Sequence, residues 1–177
     1  MTDSFHDTLV ALLPDLYRFT FCATARREDA LEQLQGICEH LHAERAELAA
    51  APQPKPAIFG SAARWLEANL GRRATLSFGD LDAVLRSDIT RPIDTAMLAR
   101  DGIEPDTHVL LWQLKRTCLT SALCCLPPAV RISFVLTDIL GFPPDQAASM
   151  LQIKESAYRV RLARGRKKIE DLSLIHI

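Results

Sequence analysis

From Leu126 to Lys168 the chain reads LPPAVRISFVLTDILGFPPDQAASMLQIKESAYRVRLARGRKK, and the reading of this stretch decides the fold. Its periodicity predicts a helix over Ala129 to Leu140, broken by Gly141-Phe142-Pro143-Pro144. A short helix over Asp145 to Leu151 follows, then a turn through Gln152 to Ser156, then a third helix over Ala157 to Asp171. A short helix, a tight turn and a basic helix make a helix-turn-helix. Tyr158, Val160, Leu162 and Ile169 are the apolar positions expected to hold the last helix against Phe134, Ala147 and Leu151.

The last helix carries Arg159, Arg161, Arg164, Arg166, Lys167 and Lys168, with no acid between Ala157 and Ile169. The whole chain has a formal net charge of −1, so any pull on nucleic acid must come from such a local patch. Guanidinium groups along one helix can reach guanine edges in the major groove while neighbouring cations neutralise phosphates. On charge alone, a merely solvated basic helix is an equal reading.

Working outward, Pro105-Asp106-Thr107 opens an apolar helix through Leu111, Leu114, Cys118, Leu119, Ala122 and Cys125, which Pro127-Pro128 ends. Near the N-terminus Leu9, Leu12, Leu13, Leu16, Phe19 and Phe21 mark an amphipathic helix that tolerates Pro14. A second helix is expected from about Glu28 to Leu48, then an extended proline-rich connector from Ala49 to Pro56, then a third helix from Ala57 to about Leu70 that stops at Gly71. Thr75 to Asp106, with Gly79, Pro92, Gly102 and Pro105, reads as an inter-domain connector with one short helix around Leu81 to Leu85. The fold class is all-α: no segment alternates apolar and polar residues over a strand length. Leu172 to Ile177 change texture and equal the translation of a common sequencing-library adaptor, so they are set aside as a scar outside the fold.

Hydrophobic residues make up 48 % and charged residues 24 %, a globular mix rather than a disordered one. The five cysteines lie mostly in apolar helical patterns, which points to a reducing cytoplasm. No uncharged apolar run approaches the roughly 18 residues of a membrane span, so a soluble, cytoplasmic protein is expected. Cys38, His40 and His42, with Cys22, are the candidate metal ligands, but there is no Cys-x-x-Cys pair and no zinc-type spacing. Packed cysteines and surface histidines are expected instead, with no metal and no cofactor. Nor is there a glycine-rich phosphate loop, a nucleophile elbow or a zinc-protease histidine pair, so no enzyme activity is expected.

Leu126-Pro127-Pro128-Ala129-Val130-Arg131, Phe134 to Phe142, Ala147-Ala148, Leu151, Ile153 and Arg159 to Lys167 together resemble region four of extracytoplasmic-function sigma factors of bacterial RNA polymerase. The resemblance implies a domain that recognises the upstream promoter element. Carried over by position, Arg159, Val160, Ala163 and Arg164 face bases and Ser156, Tyr158 and Arg161 lie near phosphates, with Arg166 and Lys167 on the same basic helix. Two of the base-facing groups are small and apolar, which leaves base contacts to the two arginines and to DNA shape. Leu13 to Phe19 and Arg27 to Ala30, with Leu34 and Gln35, resemble region two more sparsely: Glu32 stands for the usual aspartate and Gly36 for a common acid. The resemblance implies core-polymerase contacts at Asp15, Tyr17, Arg18, Glu32 and Gln35, and downstream-element contacts at Trp65, Asn69, Arg72 and Arg73.

It therefore implies a region two-like domain over residues 1–74, a linker over 75–104 and a region four-like domain over 105–171. The implied partners are core RNA polymerase, promoter DNA and an anti-sigma protein, with no membrane. Two functions follow: a working sigma factor, or a sigma-like regulator or anti-sigma decoy that does not melt promoters. An exposed basic and aromatic face at Trp65, Arg72 and Arg73 would mark the first.

Overall fold

The structure, a computed structural model, describes residues 4–71 and 119–174, and these are helical throughout apart from turns, with no strand among them. The expected connector over Thr75 to Asp106, with its short helix around Leu81 to Leu85, and most of the helix expected from Pro105 lie outside the described residues.

Helix α1 (Ser4–Thr24) buries Phe5, Leu16, Phe19, Cys22 and Ala23 along one side, with Pro14 on the exposed side. Ala25 closes it in the left-handed region, its N–H donating to the Phe21 carbonyl. Helix α2 (Arg27–Ala43) carries Glu28 and Asp29 in its first turn and His40 and His42 in its last, an order that suits the helix dipole. The single helix expected to reach Leu48 is in fact two. The chain bends at Glu44 and resumes as α3 (Arg45–Ala49), which turns Leu48 into the core.

The proline-rich stretch is also shorter as a connector than its composition suggested, because Pro54 opens α4 (Pro54–Leu70) and Pro56 lies in its first turn. First-turn N–H groups have no intrahelical acceptor, so proline costs nothing there. Ile58, Phe59, Ala62, Ala63 and Leu66 form the buried side of α4, and Gly71 ends it with a positive φ of 57°.

In the C-terminal half, helical residues 119–124 (α5) lead to Pro127, whose extended backbone is followed by Pro128 as first residue of α6 (Pro128–Phe134). The helix expected to run evenly to Leu140 widens instead into a π turn over Val135–Ile139, with the Leu140 N–H reaching back five residues to the Val135 carbonyl at 2.9 Å. Gly141, at φ 80°, breaks the run. Then come α7 (Pro144–Met150) and α8 (Glu155–Leu174), joined by a turn in which Gln152 is left-handed at φ 56°. Helix α8 starts two residues before the expected position and continues through Leu172–Leu174, so those residues prolong the basic helix.

One apolar core runs through both halves. Phe59 of α4 packs edge-on to Phe19 of α1 at 6.1 Å and against Phe142, after the π turn, at 5.4 Å. A Cβ at Gly60 would lie 3.1 to 3.3 Å from Met150 backbone and Cβ atoms, so glycine lets α4 and α7 approach this closely. Arg131 is buried at 0 % exposure. Its guanidinium donates to the Ala23 carbonyl at the end of α1 and to the Cys124 and Leu126 carbonyls, both at 2.9 Å.

Burial lowers the pKa of Arg131 from its ordinary value, and these carbonyls offset the cost of desolvating its charge. Replacing Arg131 with Ala strips donors from several buried carbonyls and opens a cavity. The expected outcome is a loss of at least about 3 kcal/mol in urea denaturation, with Arg131→Met, which keeps most of the volume, losing less.

Candidate nucleic-acid interface

The placement of α8 rests on one polar network and one stripe of side chains. Tyr158 and Leu162 are buried at 0 % and 4 % exposure, and Ile169 packs at the core margin further along the same side. Gly165, between them, sets α8 close to α6: a Cβ there would meet Val130 at 3.3 Å and Phe134 at 3.4 Å. The Tyr158 hydroxyl donates to the Ser133 carbonyl at 2.8 Å and accepts from Thr137 Oγ1 at 2.7 Å. Thr137 lies in the π turn, and so does Asp138, whose carboxylate takes Arg166 in a two-point ion pair at 2.6 and 3.0 Å. That hydrogen bond is the main reason the pKa of Arg166 is raised.

This seating leaves Ser156, Arg159, Val160, Ala163, Arg164, Lys167 and Lys168 exposed. Val160, expected in the packing stripe, is 49 % exposed and belongs to this outer side. Tyr158 packs as its apolar position led one to expect, but the resemblance also put it near phosphates, and there the structure differs: it is a core residue whose hydroxyl is committed to Ser133 and Thr137. It falls on the inner side, one turn before Leu162 and facing the π turn.

The cations differ in what holds them. Arg159 pairs with Glu155 one turn earlier at 2.6 Å, and Arg166 with Asp138. Arg161 reaches across to Glu67 of α4, with Nη1 3.2 and 3.4 Å from the two carboxylate oxygens. Arg164, Lys167 and Lys168 make no ion pair among the described residues. Sequence reading missed Glu67 and Asp138 as partners. Glu67 lies 94 residues from Arg161, and no local pattern links them.

The N-terminal candidates are spread over separate surfaces. Trp65 is half-buried, not part of an open aromatic face: a Cβ at Gly36 would fall 2.5 Å from the end of its ring, and His40 lies alongside at 6.5 Å. Glycine at position 36 is thus needed for Trp65 to lie down on α2. Asn69 is exposed and donates to the Trp65 carbonyl at 2.8 Å, while Arg72 and Arg73 lie outside the described residues. Asp15 pairs with Lys55 at 3.2 Å, and Tyr17 packs beside Phe21 at 6.1 Å. Arg18, Glu32 and Gln35 are exposed, and Leu31, 48 % exposed and one turn before Gln35, adds an apolar group to that side of α2.

His40 bonds to Ser61 Oγ at 3.0 Å and lies 3.4 Å from Glu44, while His42 points to solvent. Burial, aided by Glu39, raises the pKa of the Cys38 thiol, and burial likewise raises that of Cys124. No cluster of three or more His, Cys, Asp or Glu suited to a metal occurs among the described residues.

Comparison with known proteins agrees with this geometry. Residues 116–169 match the family model for sigma-70, region 4, a range that spans α5, α6, the π turn, α7 and most of α8. The whole chain shares the fold of the sigma factor RpoE from Bartonella quintana, solved in complex with the anti-sigma factor NepR. The match has a TM-score of 0.66 and 16 % identity, and covers 98 % of this chain and 99 % of that one. Both findings support the resemblance to extracytoplasmic-function sigma factors. No curated protein sequence matches the chain. No helix among the described residues is long and apolar enough to cross a membrane.

Burial pushes the Tyr158 pKa from 10.0 up to about 12, so folding favours the neutral phenol. The corresponding stability is fully present below pH 10, the unfolded value, and is lost as pH rises towards 12. The expected outcome is a melting temperature that falls over this window, with a contribution from Tyr158 that is absent in Tyr158→Phe. That variant should itself be less stable at neutral pH by about 1 kcal/mol, for the lost hydrogen bond.

Proposed function

We propose that this chain is a sigma factor of the extracytoplasmic-function type, one that binds core RNA polymerase and directs it to promoters by reading the upstream element with α8. The observation that carries the reading is the outer side of α8. A helix-turn-helix that matches sigma-70 region 4 presents Arg164, Lys167 and Lys168 exposed and, among the described residues, without ion-pair partners, on a helix anchored from behind by Tyr158. In this reading Arg164 and Arg159 address base edges, and Val160 and Ala163 offer small apolar contacts of the kind that suit a thymine methyl. Ser156, Arg161 and Lys167 hold phosphates and set the register.

Arg159 must exchange Glu155 for its base, an exposed swap that costs little. Arg166, clamped by Asp138, serves the position of the helix more than the DNA. The outer side of α1 and α2, with Arg18, Glu32, Gln35 and Leu31, is the surface assigned to core polymerase. The chain acts by binding, in the cytoplasm, and a protein of the anti-sigma kind is its expected regulator, as NepR is bound to RpoE in the similar structure.

A second reading has one observation in its favour. Trp65 rests on Gly36 and His40, so the open aromatic face that strand separation requires is not present on α4 in this conformation. A sigma-like regulator or anti-sigma decoy that binds without melting fits that arrangement.

Run-off transcription with purified bacterial core polymerase on a promoter library separates the two. Specific initiation establishes a working sigma factor, whereas core binding without initiation establishes the decoy. On the promoter so found, Arg164→Ala should cost about 1 to 3 kcal/mol and relax preference at one base pair. Lys167→Ala should weaken all sequences alike and reduce the salt dependence by about 0.9 log units per decade. Equal losses on all DNA from both variants would refute base reading by Arg164.

A further inference from the structure

We propose that Asp138 of the π turn is a specificity determinant of the DNA-reading helix: by holding Arg166 in an ion pair, it withholds one cation of α8 from sequence-blind binding to phosphates. The inference rests on the DNA-reading function of α8 and names a residue outside that helix which sets how sharply it discriminates.

The Arg166 side chain is 56 % exposed, yet two of its nitrogens are engaged by the two Asp138 oxygens, Nη2 at 2.6 Å and Nε at 3.0 Å. This pair occupies an edge of the guanidinium through which a phosphate is also held by two bonds, and it cancels the charge locally. Asp138 is itself held in place. Its side chain is only 24 % exposed, and its neighbour Thr137 is tied to the Tyr158 hydroxyl at 2.7 Å. Arg159 is held more loosely: Glu155, from the same helix, offers it a single oxygen at 2.6 and 2.7 Å and is well exposed. Glu155 can therefore be exchanged for a base edge, whereas Asp138 is built to keep its arginine.

The place of the pair along α8 decides what it changes. Arg159 and Arg166 are seven residues apart, about two turns, so they share the flank that faces the π turn. Both cations of that flank are matched by an acid. Arg164 and Lys167, one turn apart on the outer side, have no ion-pair partner among the described residues. Recognition helices contact base edges with their first turns, and Arg166 stands about three turns from the start of α8. Specific binding draws on the base contacts of those early turns, while sequence-blind binding counts available cations alone. Neutralising Arg166 lowers the second and spares the first.

The test uses the full chain and reads fluorescence anisotropy across a salt series on two duplexes, the promoter found by run-off selection and a scrambled sequence of equal length. Asp138→Asn keeps the shape of the side chain and removes its charge. The scrambled duplex is expected to bind this variant about fivefold to tenfold tighter at low salt, with a salt dependence steeper by about 0.9 log units per decade. The promoter duplex gains less than about twofold, because its base contacts are unaltered, so discrimination falls. Adding Arg166→Gln to Asp138→Asn is expected to abolish the gain on scrambled DNA.

Equal gains on both duplexes would overturn the proposal, since relief of repulsion by one acid would explain them. A gain that survives Arg166→Gln would do the same. Weaker promoter binding by Asp138→Asn, with scrambled DNA unaffected, would reduce Asp138 to a support for the helix. If Asp138→Asn fails to fold, Arg166→Gln decides: loss of a withheld cation lowers the salt dependence on scrambled DNA far less than Lys167→Ala does, and an equal reduction overturns the proposal. A parent chain that prefers its promoter, with that preference unaltered in Asp138→Asn, overturns this inference alone. A parent chain with no preference overturns the functional reading as well.

Discussion

A single guanidinium holds the centre of this molecule. Arg131 projects from α6 into the junction where the end of α1, the exit of α5 and the start of α6 converge, and it supplies the donors that those buried carbonyls lack. Its charge is costly to bury, so the arrangement persists only while the carbonyls stay where they are. That requirement couples the two halves: the carbonyl of Ala23 belongs to the N-terminal helices, those of Cys124 and Leu126 to the C-terminal ones. The phenylalanines at 19, 59 and 142 continue the same junction in apolar form.

From that centre the order of α8 follows. The π turn after α6 sets Thr137 and Asp138 towards the basic helix, where Tyr158 and Arg166 meet them. A regular α-helical continuation would rotate these two residues away, so the extra residue in the turn is what lets a helix of one half-layer hold its neighbour by polar contacts. Basic side chains on the outer side of α8 are thus presented by a rigid support, as a surface that must meet base edges in one register requires.

Much of this was legible in the sequence where the signal was local. Prolines and glycines marked the ends of the C-terminal helices to within a residue or two, and the absence of acids between Ala157 and Ile169 picked out the basic helix. What escaped were features decided by distant residues. The helix expected to reach Leu48 breaks at Glu44 because α3 must turn Leu48 inward beneath α4 and α1. Pro54 and Pro56 looked like a connector because proline at the start of a helix and proline in a loop give the same composition. Tyr158 and Val160 each admitted two readings, packing or DNA contact, because a few residues of basic helix do not reveal which angular position faces the core; the structure buries Tyr158 and exposes Val160. Glu67 and Trp65 acquired their meaning only from α8 and from Gly36, neither of which is near them in sequence.

The paired prolines carry a consequence for tolerance to insertion. At both Pro127-Pro128 and Pro143-Pro144 the first ring holds an extended backbone, with ψ of 144° and 146°, and the second occupies the opening position of a helix. Each helix is thereby started at a fixed residue and cannot creep backwards along the chain. One residue of slippage would turn every side chain by about 100° around the axis. The prolines therefore act as phase markers for rotation: they fix which residues of α6 and α7 look inward before any tertiary contact forms. Single-residue insertions within these helices should be far more disruptive than insertions on the N-terminal side of either pair, where the rotational phase is set anew.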